Sequence, residues 1–130
     1  LVHVLCGIGS FGCALLQLDR SLRRERPELH RMSGRAYVLL GTVSLLALRV
    51  LRGTAGQGRG NAPSHALQLF IDASSALWVG STYAAVWFAR HRNFEVHKRA
   101  MAMSFSLLAV PLQQRVLNFA LAPGAMLLRV

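Results

Sequence analysis

Four histidines stand near the ends of long apolar runs in this 130-residue chain: His3, His30, His65 and His97. A histidine at such a place can ligate a metal, carry a proton or face lipid headgroups. Topology sorts them. In an up-down-up-down arrangement of four helices, the first and third are diagonal neighbours, and so are the second and fourth. His3 and His65 then share one end of the bundle, and His30 and His97 share the other. Two imidazoles projecting across a helical core suit the two axial positions of a b-type haem. The plainer reading stands beside it: the same histidines face headgroups or tie helices by hydrogen bonds. His30 precedes the apolar part of its segment by six residues, about 9 Å along a helix. Lys98 and Arg99 follow His97 directly, and His91 lies in a loop between Arg90 and Arg92.

The elements that must position these residues are helical. The first helix is expected over about 1–18, where His3, Cys6, Ser10, Cys13 and Gln17 fall on one stripe. Polar groups in hydrocarbon are tolerated where they face a bundle interior, so this stripe should point inward. Gly7, Gly9 and Gly12 permit close backbone approach. The second helix is expected over about 27–51, with Pro27 in its first turn. His30, Ser33, Gly34, Tyr37, Gly41, Ser44 and Leu48 share one face of it. A Gly-rich loop follows, and Asn61 with Pro63 marks the next start. The third helix, about 64–89, carries His65, Asp72, Val79 and Tyr83 on one face, with Trp87 placed for an interfacial belt. The fourth, about 94–121, carries His97, Met101, Ser104, Leu108, Pro111, Arg115 and Asn118, before Pro123-Gly124. One domain of four transmembrane helices accounts for the whole chain.

Charge supports that reading. The chain is 53% hydrophobic yet carries a formal charge of +10, and ten of its fifteen Lys and Arg lie in 20–35 or 90–99. Basic blocks between apolar runs of roughly 17–25 residues read as cytoplasmic loops, which places segments 19–35 and 90–99 inside and both ends outside. A nucleic-acid binder would spread its charge over a soluble surface instead. Cys6 and Cys13 are separated by about 10 Å of helical rise, too far for an ordinary disulfide, and read as small packing residues. Leu1 is not an initiator Met and already lies in an apolar run, so the expectation is either a fragment or a chain whose numbering begins after a removed portion. The lack of a preceding basic region and of a small-residue cleavage site speaks against a signal peptide.

A second constellation is charged. Asp72 lies about 10 Å below His65 on the same face, where a lone carboxylate is costly. Arg115 is expected at similar depth, with Arg49 near, so an Asp72–Arg115 pair is the expected partner arrangement. The pair either fixes helix register or serves chemistry, with Arg115 facing a haem propionate or Asp72 relaying protons with His65.

The segment Leu29-His-Arg-Met-Ser-Gly-Arg-Ala-Tyr-Val38 resembles the "LHRWxGRxYV" stretch of a bacterial membrane family, the domain of unknown function 2306 (DUF2306). His97-Lys-Arg-Ala-Met-Ala-Met-Ser-Phe-Ser-Leu107 is similar to its "HRRWMxRSYAL", with Arg115 close to a further arginine of the family and Trp78, Thr82 and Tyr83 matching its third helix. The likeness spans about 1–119, and this chain departs from it at Ala100 and Met103, where the family has Trp and Arg. It implies a four-helix membrane protein and draws attention to Arg35 and Tyr37. More weakly, His30-x-x-x-Gly34-Arg35 and His3-x-x-x-Gly7 resemble helices of the cytochrome b-561 superfamily, whose diagonal histidine pairs hold two haems.

The expectation is an all-α, integral membrane, up-down-up-down four-helix bundle in a bacterial inner membrane. It holds haem b through His3/His65 and His30/His97, and a quinone or redox protein is its partner. If it is an enzyme, it is a component of a membrane oxidoreductase. The alternative is a non-haem subunit or small transporter with structural histidines and an intramembrane Asp–Arg pair. The lipid bilayer is a partner in either case, and nucleic acid in neither.

Overall fold

The computed structural model describes residues 1–55 and 65–127, and among them every regular element is helical. The helices are α1 (Val2–Leu18), α2 (Arg20–Glu25), α3 (Pro27–Ala55), α4 (His65–Arg90) and α5 (Phe94–Leu127). The chain divides into two compact units, Leu1–Val79 and Gly80–Val130.

The segment 20–25, expected as loop, is a short helix. Asp19 leaves α1 in extended backbone and caps α2, its carboxylate accepting from the Ser21 N–H and Oγ–H, each at 2.8 Å. Those bonds hold the Asp19 carboxyl below its ordinary range. Arg26 breaks the helix at φ −133°, ψ 67°, because a residue before proline is pushed out of the helical region. Pro27 then opens α3, where its missing N–H costs nothing, and Glu28 lies in the first turn beside the positive end of the helix dipole.

The helices run somewhat past the expected ends. α3 extends to Ala55, and α5 continues to Leu127 instead of stopping near Leu121. Pro111, Pro123 and Gly124 are absorbed within it; in apolar helices neighbouring groups can take up the freed backbone groups.

The turn between α4 and α5 is built without glycine. Asn93 N–H donates to the Phe88 carbonyl at 3.0 Å and Arg92 N–H to the Ala89 carbonyl at 3.2 Å. This is the Schellman pattern, whose penultimate residue takes left-handed backbone. Arg92 occupies that position at φ 58°, a conformation that costs a side-chain-bearing residue roughly 1–2 kcal/mol.

Polarity runs inside out. The buried residues include Ser10, Gln17, Ser33, Ser44, Ser81, Thr82 and Ser104, whereas Leu5, Ile8, Leu15, Leu39, Leu46, Leu69, Phe70 and Leu77 are exposed. Water would favour the reverse, and an apolar solvent favours what is seen. α3 contains a span, Pro27–Gly53, long and apolar enough to cross a membrane; α1 is apolar but shorter, at 17 residues.

Candidate functional site

In the first unit, α1 lies against α3 through three polar rungs. Near one end, His3 and Ser44 make three contacts. The His3 Nδ1 lies 3.0 Å from the Ser44 carbonyl, and the Ser44 Oγ–H donates to the His3 carbonyl at 2.9 Å. In the middle, Ser10 Oγ–H donates to the Tyr37 carbonyl at 3.1 Å. At the far end, Gln17 Nε2–H donates to the His30 carbonyl at 2.6 Å and to Ser33 Oγ at 2.5 Å. Every step of seven along α1 (3, 10, 17) is matched by a step of seven back along α3 (44, 37, 30). That is the period of an antiparallel coiled-coil seam, carried by hydrogen bonds instead of leucines. The inward stripe expected on α1 and the small-polar face expected on α3 are the two sides of this seam.

Glycine permits the close approach that the seam needs. A Cβ on Gly41 would stand 2.5 Å from Trp78 Cζ2 and 3.1 Å from Ser10 Oγ. Trp78, on α4, is buried with its indole N–H donating to the Tyr37 hydroxyl at 2.9 Å and its ring edge-on to the Tyr37 ring. Tyr37 is fully buried, while Arg35 is exposed.

The histidines differ in their surroundings. The His3 Nδ1 also lies 2.9 Å from the Ser44 Oγ, so it donates to the Ser44 carbonyl in one tautomer and accepts from the Ser44 hydroxyl in the other. In the second unit the His97 Nδ1–H donates to the Ala85 carbonyl at 2.8 Å. Below it, Thr82 and Ser104 are buried and hydrogen-bonded at 2.6 Å. His30 is half-buried and contributes its carbonyl to the seam. His65 is the first residue of α4 and is exposed. His91 stacks on Trp87, with ring centroids 4.0 Å apart and its Nδ1–H donating to the Trp87 carbonyl.

Asp72 accepts two arginines from α3: Arg49 at 2.9 Å and Arg52 at 3.4 Å. Arg49 and Arg52 stand about one helical turn apart, so both reach the same carboxylate. The expected partner Arg115 has its side chain outside the described residues, as do Pro111 and Asn118. Asp72 keeps nearly half its side chain exposed (46%).

Both cysteines are free and half-buried. No cluster of three or more His, Cys, Asp or Glu able to hold a metal ion occurs among the described residues. A haem iron asks the protein for only two axial ligands, the porphyrin supplying the remaining nitrogens. A ligating imidazole usually donates its other N–H to a carbonyl or carboxylate, and His97 meets that requirement through Ala85.

Sequence reasoning listed both faces of the seam without pairing them. The signal was present in the shared seven-residue spacing of 3, 10, 17 and 30, 37, 44. It missed the Trp78–Tyr37 bond and the role of Arg92, because neither leaves a periodic trace.

No curated protein and no solved structure matches the chain. A family model described as "Predicted membrane protein (DUF2306)" matches residues 1–127, and the chain belongs to that family.

Proposed function

We propose that the protein is an integral membrane four-helix bundle, built from α1, α3, α4 and α5, that carries electrons through b-type haem. In this reading His3/His65 and His30/His97 are the residues that would hold the haem iron, and segments 19–35 and 90–99 face the cytoplasm of a bacterium. A quinone or a redox protein is the partner. The observation that supports it is the bond from the His97 Nδ1–H to the Ala85 carbonyl. That bond leaves Nε2 able to bind iron and stiffens the ring. The His30/His97 pair contains one imidazole prepared in this way. Bound haem would supply reversible one-electron chemistry, and the protein's share is to orient the rings and keep water from them.

The three-rung seam favours a second reading, in which His3 is a helix tie and the protein is a non-haem membrane subunit or small transporter. One measurement separates the two. The protein is purified in mild detergent from cells supplied with a haem precursor, and its absorption spectrum is recorded. A Soret band that falls by about half in His97→Ala, with helix content unchanged, carries the electron-transfer reading. A purified protein with no Soret band leaves the second.

A further inference from the structure

We propose that the α4–α5 turn is a binding site for the phosphate headgroup of an anionic phospholipid, with Arg92 as its central cation. The proposal rests on the membrane-embedded part of the reading above and is independent of haem. Its starting point is the backbone. Arg92 holds φ 58° at the position of a Schellman turn where glycine is the undemanding choice. Strain of this kind persists where a side chain is needed at that place.

The surroundings define the ligand. Arg90, Arg92 and Arg99 are exposed; Arg99 lies in the field of the Glu95 carboxylate, and among the described residues no ion pair engages Arg90 or Arg92. The local acid, Glu95, is already taken by Lys98 at 2.8 Å, which holds its carboxyl low and leaves it charged beside its own partner. The turn therefore presents two uncompensated guanidiniums, those of Arg90 and Arg92. Trp87 lies immediately before them, 54% exposed, with His91 stacked on its ring. An exposed indole followed by two exposed arginines is the composition of a headgroup-level anchor: the indole occupies the interface and the guanidiniums face phosphate. A soluble anion would meet the cations without any use for the indole. Juxtamembrane arginines gain strongly from an anionic lipid surface.

Trp87 also provides the readout, because the other tryptophan, Trp78, is buried. Detergent-solubilised protein is titrated with brominated phosphatidylglycerol or brominated phosphatidylcholine, and quenching of tryptophan emission is followed. Phosphatidylglycerol should quench at clearly lower mole fraction, and Trp87→Phe should abolish the effect. Arg92→Gly should weaken the phosphatidylglycerol preference about five-fold while the melting temperature stays the same or rises, since glycine takes the left-handed backbone freely. Arg92→Lys should keep most of the preference. Equal quenching by the two lipids, an unchanged preference in Arg92→Gly, or quenching that survives Trp87→Phe overturns the site. Displacement of phosphatidylglycerol by equimolar inorganic phosphate overturns the lipid assignment. Quenching by neither lipid removes the membrane embedding itself, a failure distinct from loss of lipid preference.

Discussion

Trp78 donates its indole N–H to the Tyr37 hydroxyl at 2.9 Å while its ring edge fills the space over Gly41. The two aromatic residues, on α4 and α3, pack together in a first unit whose other buried side chains, among the described residues, are Ser10, Ala14, Gln17, Ser33 and Ser44. This contact depends on both the hydrogen bond and the missing Cβ.

Gly41→Ala should therefore destabilise the protein although alanine is the better helix former. The new Cβ would meet Trp78 at 2.5–2.6 Å, and the ring cannot withdraw without breaking its bond to Tyr37. A loss of about 1–3 kcal/mol is expected, read as a lower thermal midpoint in detergent. A midpoint equal to or above the parent would show that the ring has room to move.

Tyr37→Phe tests the hydrogen bond, because the ring remains and the hydroxyl that accepts the Trp78 N–H disappears. Leaving a buried donor unmet costs about 1–3 kcal/mol. Trp78 emission should also shift, since its N–H loses a partner. Unchanged emission together with unchanged stability would mean that the indole N–H is satisfied elsewhere.

Gln17→Leu removes the rung made with His30 and Ser33 while keeping side-chain volume close. Interhelical hydrogen bonds in membranes contribute roughly 0.6–2 kcal/mol, and a destabilisation in that range is expected. Faster amide exchange at the C-terminal end of α1 should accompany it. Equal exchange in both proteins would place the α1–α3 register on packing alone.

The Arg49–Asp72 pair should be weak. Both side chains are nearly half exposed, so a double-mutant cycle with Arg49→Ala and Asp72→Ala should give a coupling of about 0.2–1 kcal/mol that declines with salt. A larger, salt-insensitive coupling would put the pair in a dry environment.

Asp19 gives a pH signature. Its carboxyl is lowered from 3.8 first by the Ser21 side-chain hydrogen bond, then by backbone bonds to Ser21 and Leu22. The folded group thus ionises below the unfolded one. The cap's contribution is complete above the unfolded value and is lost as pH falls through the folded one. Amide-exchange protection in α2 should drop in Asp19→Ala at neutral pH, and the difference between variant and parent should vanish in acid below that range. A difference that persists in acid would show that Asp19 acts by something other than its charge.

The helical class and the positions of four of the five helices were legible because apolar runs and polar stripes have a period. His3, Ser10 and Gln17 announce an inward face by spacing alone, and that face is where α1 meets α3. α2 was hidden because six residues carrying three arginines have no apolar stripe to reveal; its cap, Asp19 before Ser21, is the sole local cue. The partners of Asp72 were only half legible. Depth along a helix brings several arginines to one level, and which of them bonds depends on helix rotation, which one sequence does not encode in any single residue. Arg92 was invisible for a different reason: a strained backbone angle is a property of the turn's hydrogen bonds, and arginine is an ordinary residue in a basic loop.

The matched sevens of α1 and α3 carry one more consequence, and it concerns errors of assembly. Sliding α1 by a single residue breaks all three rungs together, so small slips are punished at once. Sliding it by a full seven residues, about 10 Å, presents His3 to the Tyr37 carbonyl and Ser10 to the His30 carbonyl, acceptors of the same kind as those they left. Two rungs of three survive. The seam works like a vernier scale: it rejects near misses, and its cheapest mistake is a whole division.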